Sequence, residues 1–192
     1  MFIALEGADN VGKTSMVNLT SSSCTAHSVT KETHLSFTES ADSHVPVMYD
    51  RIDWMTHMIY RLAMPHHEWN DPRVRTVFSM PNTHLIVKIH DSEECMRNLT
   101  DELYDISVSD VNNAYDLFVN RFLIPFNNFM DFELFKSITV VKVHNDPVNR
   151  VFYQYISRIC SPLEETLYKD KERIVNNDEI IWILNELERN LI

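Results

Sequence analysis

Residues 7–14 combine two glycines, a lysine and a threonine in the order Gly-Ala-Asp-Asn-Val-Gly-Lys-Thr, directly after the apolar run at residues 2–5. The spacing G-x-x-x-x-G-K-[ST] behind a buried strand is typical of a phosphate-binding loop. Its backbone N–H groups would cradle phosphate oxygens, and the helix that follows would add its positive N-terminal end. The chain has only two glycines, Gly7 and Gly12, and both lie in this segment. The pattern therefore predicts a site for the phosphates of a nucleotide.

The side chains of this loop fit a nucleoside triphosphate that is bound with a metal ion. Lys13 would reach the β- and γ-phosphates, and the hydroxyl of Thr14 would bind Mg²⁺. The expected cofactor is therefore Mg²⁺, with ATP as the phosphoryl donor. The predicted ATP-binding residues are Gly7, Ala8, Asp9, Asn10, Val11, Gly12, Lys13, Thr14 and Ser15.

Residues 2–14 resemble the opening of thymidylate kinases, which usually reads hydrophobic-E-G-x-D-G-x-G-K-[ST]. The resemblance implies that Asp9 approaches the sugar 3′-hydroxyl of an acceptor nucleotide. An aspartate that only caps the loop or the following helix is the alternative, because Asp commonly accepts hydrogen bonds from nearby N–H groups. The departures from the family pattern are those of a divergent member, and a viral origin is one interpretation.

Asp50 and Arg51 end a second predicted strand and resemble the D-R-[YH] segment of the same family. The resemblance implies that Arg51 holds the acceptor phosphate, for which a planar fork of donors is well suited. It also implies that Asp50 orients Mg²⁺ or its waters, so that Thr14 and Asp50 are the expected metal residues. A surface ion pair at a strand end is the alternative. Lys31 loosely matches the arginine of the family's T-R-E-P segment.

Glu6 matches an acid that thymidylate kinases share with deoxynucleoside kinases. In the nucleoside enzymes such an acid takes the proton from the attacking hydroxyl, whereas a phosphate acceptor needs no such base. An acid that holds the loop or a cation is the alternative. The expected catalytic residues are Lys13, Asp50, Arg51, Glu6 and Arg97.

The cation that stabilises the transition state is not identified by the motif. The loop has no cation before Lys13, and residues 98–110 contain four acids and no arginine. Arg97 and Arg121 are the candidates to close over the phosphates as a lid, with an ordinary surface charge as the alternative for each.

The acceptor base needs an apolar surface. The interval between Lys31 and Asp50 is shorter than in typical thymidylate kinases, in which helices there form walls of the base pocket. Aromatic side chains would supply a stacking surface instead, with core packing as the alternative for each. These aromatic candidates are Phe37, Trp54, Tyr60 and Trp69. The predicted acceptor-binding residues are Asp9, Lys31, Arg51, Phe37 and Trp54.

Strands alternate with helices along the chain, which predicts a three-layer α/β/α fold with a central parallel sheet. The resemblance makes it a P-loop nucleoside or nucleotide kinase fold. A length of 192 residues favours one domain, 1–192, with a helical C-terminal segment at about 161–192. Residues 138–143 are expected to form the last strand, and Asn145-Asp146-Pro147 to open a helix that extends to about Ile159.

Composition narrows the partners and the compartment. A net charge of −11 lacks the basic footprint of a protein that binds polymeric nucleic acid. No apolar run is long enough to span a membrane, and the first residues do not form a cleavable apolar segment, so the expected location is the cytoplasm, that of the host if the chain is viral. Cys24, Cys95 and Cys160 fit no metal pattern and are expected to be reduced thiols with a packing role. A homodimer is also considered.

The leading hypothesis is a nucleotide kinase that transfers the γ-phosphoryl group of Mg-ATP to a pyrimidine deoxynucleoside monophosphate such as dTMP. One alternative is a kinase for a deoxynucleoside or for a modified pyrimidine with a hydroxymethyl base. A more distant alternative is a non-catalytic nucleotide-binding switch.

Overall fold

The computed structural model describes residues 1–19, 24–40, 45–69, 76–129, 133–161 and 174–189. In this part of the chain a six-stranded sheet is accompanied by helices. The strands are β1 (Phe2–Gly7), β2 (Cys24–Val29), β3 (Val47–Ile52), β4 (Met80–His90), β5 (Phe135–Asp146) and β6 (Val151–Cys160). The helices are α1 (Lys13–Leu19), α2 (Lys31–Ser40), α3 (Asp53–Ala63), α4 (Val108–Phe118), α5 (Ile124–Phe129) and α6 (Asn177–Arg189).

The strand order across the sheet is β2-β3-β1-β4-β5-β6. Every neighbouring pair is parallel except β5 and β6, which are antiparallel. Strands buried on both faces read as near-continuous apolar runs, and residues 2–5 of β1 and 85–87 of β4 have this character. The expected α/β fold is confirmed, the central sheet is mostly rather than wholly parallel, and the arrangement is consistent with three α/β/α layers.

The central position of β1 determines where a ligand would sit. β1 lies between β3 and β4, so the chain leaves its carboxyl end where the strand order changes direction. Ligands of open α/β sheets bind in the crevice outside such a point. The five residues 8–12 connect β1 to α1 there.

The helix expected after Pro147 is wrong, because residues 151–160 form β6 and pair antiparallel with β5. Asp146 closes the turn between the two strands, since its Oδ1 accepts hydrogen bonds from the backbone N–H groups of Val148 and Asn149. The β6 sequence Val-Phe-Tyr-Gln-Tyr-Ile is rich in aromatic and β-branched residues, which favour strands. The central sheet is therefore not wholly parallel.

Three further helical features lie between strands of the sheet along the chain. α2 follows β2 at Lys31–Ser40. A single 3₁₀ turn, Glu93–Met96, follows β4. A π-helical turn at Val119–Leu123 separates α4 from α5. In the C-terminal segment the structure describes α6, whereas residues 162–173 and 190–192 lie outside the described part.

No helix in the described part of the chain is both long and apolar enough to cross a bilayer.

Candidate functional site

Gly7 directly precedes the loop at residues 8–12, and there is no space for a side chain at this position. A Cβ added to Gly7 would lie 2.1 Å from the backbone oxygen of Lys88, because β1 and β4 pair directly at these two residues. Gly7 and Gly12 have φ angles of 146° and 74°, and Asn10 has 62°. Left-handed angles that alternate with right-handed ones are typical of loops whose N–H groups form an anion cradle.

Lys13 lies at the start of α1 and folds back over the loop. Its Nζ donates hydrogen bonds to the backbone oxygens of Gly7 at 2.7 Å and Ala8 at 2.6 Å. Burial, reinforced by the nearby Arg51, lowers the pKa of Lys13 to about 8. The ammonium is therefore held at the loop, where a bound phosphate would meet a poorly hydrated positive charge.

Lys88 brings a second ammonium to the same loop, and the sequence analysis missed it. The side chain leaves the fully buried part of β4, and its Nζ donates to the backbone oxygen of Gly12 at 3.2 Å. Burial and the charge of Lys13 lower the pKa of Lys88 to about 8. The sequence does contain a signal for Lys88, because this lysine interrupts the otherwise apolar run Leu-Ile-Val-Lys-Ile. A lysine that is buried without an acidic partner is rare and therefore indicates a function.

Asp9 connects the loop to two other segments. Its Oδ1 accepts a hydrogen bond from Nη2 of Arg51 at 3.0 Å, and its Oδ2 accepts one from the backbone N–H of Glu102 at 3.1 Å. Burial alone would raise the pKa of Asp9, but the bond from Glu102 and the charges of Lys13 and Arg51 outweigh it and lower the pKa. Asp9 is therefore an anion that holds Arg51 beside the loop.

The backbone of Asp9 is anchored as well. His90 donates from Nε2 to the backbone oxygen of Asp9 at 2.8 Å, and the backbone of His90 is itself held by the side chain of Asn112. Burial outweighs the opposing effect of this bond and lowers the pKa of His90, which favours a neutral ring that carries its hydrogen on Nε2. The end of β4 thus supports the loop through a buried histidine.

Arg51 occupies a special backbone conformation near the end of β3. Its φ angle is 72°, and its Nη1 is buried with no hydrogen-bond partner among the described residues. Burial alone would lower the pKa of Arg51, but the surrounding Tyr115 and Glu6 outweigh it and raise the pKa further above its ordinary value. One guanidinium nitrogen is bound by Asp9, and the other is buried without a partner in the part of the chain that the structure describes.

Glu6 is fully buried and its carboxylate is already occupied. Oε1 accepts from the backbone N–H of Ile52 at 2.6 Å, Oε2 accepts from the Tyr115 hydroxyl at 2.7 Å, and the Thr56 hydroxyl donates to Oε1 at 3.1 Å. Burial raises the pKa of Glu6 in spite of the opposing charge of Arg51. These contacts join β1, β3, α3 and α4, so the geometry is that of an acid that holds the site together.

Asp50 lies on β3 in register with Leu5 of β1. Its Oδ2 is 3.2 Å from Nδ1 of the exposed His27, and its Oδ1 is buried without a hydrogen-bond partner in the described part of the chain. Thr14 and Ser15 are exposed at the start of α1. A partnerless carboxylate oxygen and an exposed hydroxyl are suitable oxygen ligands for Mg²⁺.

The hairpin of β5 and β6 reaches the loop from the other side. Asn145 donates from Nδ2 to the backbone oxygen of Asn10 at 2.8 Å. The ring of Phe152, which is 56% exposed, would lie 3.7 Å from a Cβ on Gly12. The expected helix would not have produced this contact, so both residues were missed as parts of the site.

The aromatic residues expected to stack on a base separate into two groups. Trp54 is 3% exposed and stacks on Phe135, and Phe37 packs on Tyr49 within the core. Tyr60 and Trp69 instead meet Tyr104, at ring-centroid distances of 4.9 Å and 5.4 Å. We call these three rings, Tyr60, Trp69 and Tyr104, the aromatic cluster.

The aromatic cluster lies next to the turn that contacts Asp9 of the loop. The Tyr60 hydroxyl donates to Oδ2 of Asp101 at 2.6 Å, and Asp101 precedes Glu102, whose N–H binds Asp9. Oδ1 of Asp101 accepts from the backbone N–H groups of Leu103 and Tyr104 and so fixes this turn. Tyr104 is 38% exposed, and a ligand could therefore contact its ring.

Lys31 and Arg97 are not brought to the loop. Lys31 is exposed at the start of α2, and Arg97 is exposed directly after the 3₁₀ turn. Within the described residues, no side-chain hydrogen bond or ion pair joins either cation to residues 7–14. Both roles remain predictions from the sequence.

The chain matches no protein-family model, no curated protein and no solved structure.

Proposed function

We propose that this chain is a nucleotide kinase that transfers the γ-phosphoryl group of Mg-ATP to a pyrimidine deoxynucleoside monophosphate. The observation that carries the proposal is the contact between Asp9 of the loop and Arg51 of β3. It puts a phosphate-binding loop beside a guanidinium with a partnerless nitrogen, so two phosphate-bearing ligands would meet there. Phosphoryl transfer depends mainly on such positioning and on neutralising charge.

Two lysines would serve the donor phosphates. The ammonium groups of Lys13 and Lys88 both bind carbonyl oxygens of the loop, and a polyphosphate would replace these with stronger, charge-assisted hydrogen bonds. Lys88 supports the proposal further, since it would supply the cation that the sequence motif lacks. The exposed ring of Phe152 beside Gly12 offers an apolar face to the base of the donor.

The metal ion fits the residues present. Thr14 and Asp50 would hold Mg²⁺, because the one offers an exposed hydroxyl and the other a carboxylate oxygen without a partner. When bound, Mg²⁺ would neutralise the negative charge that develops on the phosphates. Asp50 also lies close enough to Lys13 to raise its pKa against the larger effect of burial, so the acid and the loop cation share one region.

Glu6 favours a monophosphate acceptor over a nucleoside. A general base must come within hydrogen-bond reach of the hydroxyl that it deprotonates. Glu6 is fully buried and accepts hydrogen bonds from Ile52, Thr56 and Tyr115. A phosphate acceptor needs no base and would use the free Nη1 of Arg51, where a guanidinium binds an oxyanion well.

The acceptor base would lie on the aromatic cluster. Tyr104 presents an exposed ring close to Asp101 and Glu102, and this turn contacts Asp9. A phosphate on Arg51 and a base on Tyr104 would place a mononucleotide between the two. In this arrangement Asp9 would lie near the sugar, as the resemblance implies.

The decisive experiment offers deoxynucleosides and their monophosphates to the protein with labelled ATP. We expect phosphate to pass to a pyrimidine monophosphate, and we expect Arg51→Ala to raise the KM for this acceptor at least tenfold while the KM for ATP changes little. Lys142→Ala, which removes a cation of β5 that pairs with Asp116 and has no assigned role in the site, is the control. Transfer to nucleosides alone, abolished by Glu6→Gln and unaffected by Arg51→Ala, would contradict the proposal.

A further inference from the structure

Three side chains with different donor atoms converge beyond the carboxyl end of β4. Asp91 directly follows β4, Cys95 lies in the 3₁₀ turn, and His144 lies on β5. The distance between Nδ1 of His144 and Oδ1 of Asp91 is 3.1 Å, and Sγ of Cys95 lies 3.4 Å from the same Nδ1. Sγ of Cys95 is 3.8 Å from Oδ1 of Asp91. One oxygen, one nitrogen and one sulfur therefore form a small triangle.

The triangle has the dimensions of three ligands around one tetrahedral zinc ion. Zinc binds thiolate sulfur at about 2.3 Å and imidazole nitrogen or carboxylate oxygen at about 2.0–2.2 Å, which separates the ligand atoms by about 3.4–3.6 Å. The three observed separations of 3.1, 3.4 and 3.8 Å surround this range. Ligand sets of one thiolate, one imidazole and one carboxylate are within the chemistry of Zn²⁺.

Hydrogen bonding alone accounts for only part of this arrangement. Nδ1 of His144 carries either a hydrogen or a lone pair, so it cannot donate to Asp91 and accept from the Cys95 thiol at the same time. The Ser92 hydroxyl donates to the same sulfur at 3.2 Å, and when Nδ1 carries the hydrogen, the only described acceptor for the Cys95 thiol is Oδ1 of Asp91, at the long distance of 3.8 Å. A cation at the centre of the triangle would satisfy all three donor atoms together.

We propose that Asp91, Cys95 and His144 bind one Zn²⁺ ion, with water as the fourth ligand. Neighbouring groups already orient the ligands, as is usual around protein-bound zinc. Ser92 holds the sulfur, and the ring of His144 stacks on Tyr153 with centroids 4.8 Å apart and an interplanar angle of 8°. Cys95 is buried, whereas the side chains of Asp91 and His144 keep 12% and 21% of their surface exposed, which gives an ion a route of entry.

Zinc at this site would restrain the segment that leads to the phosphate-binding loop. Asp91 adjoins His90, which binds the backbone of Asp9, and the chain beyond Cys95 continues to Glu102, which binds the Asp9 carboxylate. Both connections run through Asp9. The ion would thus fix the end of β4, the 3₁₀ turn and β5 relative to one another. This inference does not depend on the proposed kinase activity.

The test is a titration of metal-free, reduced full-length protein with Co²⁺, which reports thiolate ligation through a near-ultraviolet charge-transfer band and tetrahedral geometry through visible bands. We expect saturation at one Co²⁺ per chain and displacement by Zn²⁺. Cys95→Ser should remove the charge-transfer band, and His144→Ala should weaken cobalt binding at least tenfold. Cys24→Ser is the matched control, because Cys24 is an exposed thiol on β2 and its loss should change nothing.

Circular dichroism of each variant separates lost ligation from lost folding. If Cys95→Ser does not fold, Asp91→Asn replaces it and should weaken binding while the thiolate band remains. Hydrogen exchange should show that Zn²⁺ protects residues 91–105 in the unmodified protein and not in His144→Ala. Cobalt binding without a thiolate band, or a band that Cys24→Ser abolishes and Cys95→Ser leaves intact, would overturn the proposal.

Discussion

Nη2 of Arg51 lies 3.0 Å from Oδ1 of Asp9, and this ion pair joins the loop at residues 8–12 to β3 across the carboxyl edge of the sheet. Only 14% of the Arg51 side chain and 19% of the Asp9 side chain remain exposed, so the pair is poorly screened by solvent. Asp9 thereby sets the direction in which the second nitrogen of the guanidinium points. The two residues carry the strongest parts of the sequence resemblance, and the structure puts them in contact.

Asp9→Asn tests whether this pair positions Arg51 for an acceptor. The amide retains the shape of the side chain but loses the charge that holds the guanidinium, and a charge-assisted bond contributes about 1.5–3 kcal/mol. We expect the KM for the monophosphate to rise about tenfold or more, with the KM for ATP nearly unchanged, in steady-state kinetics.

The acceptor sugar distinguishes the two interpretations of Asp9. If Asp9 contacts the 3′-hydroxyl, a 3′-deoxy acceptor should react about tenfold worse than the normal one, and Asp9→Asn should shrink this ratio. An unchanged ratio would show that Asp9 binds only Arg51 and Glu102 and does not contact the sugar.

Lys88→Met should separate activity from stability. Loss of a positioned cation from a phosphoryl-transfer site lowers kcat by about 10²–10³. The same change removes a buried ammonium whose pKa is lowered to about 8, so the free energy of unfolding should rise by roughly 1–3 kcal/mol. Turnover and urea unfolding measure the two effects.

Lys142→Met is the control for this substitution. Lys142 lies on β5 and pairs with Asp116 at 3.3 Å, away from the loop contacts of Lys88. Neither activity nor stability should change by a comparable amount. Normal turnover in a folded Lys88→Met protein would exclude Lys88 from the reaction.

The affinity for ATP should depend on pH above neutrality. Lys13 and Lys88 have pKa values of about 8 without ligand, so both are largely charged at pH 7 and lose their charge as the pH rises through 8. Bound phosphates favour the charged forms, so ATP binding should take up protons above about pH 8 and weaken as the pH increases. Calorimetry in two buffers of different ionisation enthalpy measures this uptake.

The number of protons taken up on ATP binding shows whether Lys88 is one of the groups that titrate. Lys88→Met should reduce the uptake at pH 9, whereas Lys142→Met should not. An uptake that is identical in all three proteins would show that other groups titrate with ATP.

Tyr104→Ala should weaken binding of the acceptor without affecting binding of the donor. The ring belongs to the aromatic cluster and is 38% exposed, and stacking of a base on an aromatic ring contributes about 1–3 kcal/mol. We expect the KM for the pyrimidine monophosphate to rise about tenfold, as measured by initial rates at saturating ATP. Phe122→Ala removes an exposed ring from the π-helical turn and should have no such effect.

Local signals were sufficient for β1 and the loop. An apolar run followed by two glycines and Lys13 defines the strand, the turn and the helix start within 14 residues. The proximity of Asp50 and Arg51 to the loop was also accessible, because the carboxyl ends of parallel strands share one edge of a sheet.

Features that depend on contacts between distant segments of the chain could not be predicted in the same way. β6 is a strand because β5 offers it an edge and Asp146 closes the turn, whereas apolar residues at 148, 152, 155, 156 and 159 also fit helical spacing. Lys88 reaches Gly12 across 76 residues, and Cys95 reaches His144 across 49. Neither spacing forms a motif.

The scarcity of glycine has a consequence for the unfolded chain. Average usage of about 7% would give this length roughly thirteen glycines, and the chain has two. Each replacement of glycine narrows the unfolded ensemble and favours folding by ~0.4–1 kcal/mol where the native angles permit. Among the described residues other than glycine, left-handed angles fall on Asn10, Ser28, Arg51, Asn98, Asp105 and Arg150. At roughly 1 kcal/mol each, their strain offsets much of this entropic advantage. Arg150→Gly, at an exposed hairpin turn, would relieve backbone strain in the folded state but increase the entropy of the unfolded chain. The two effects should nearly cancel in the free energy of unfolding.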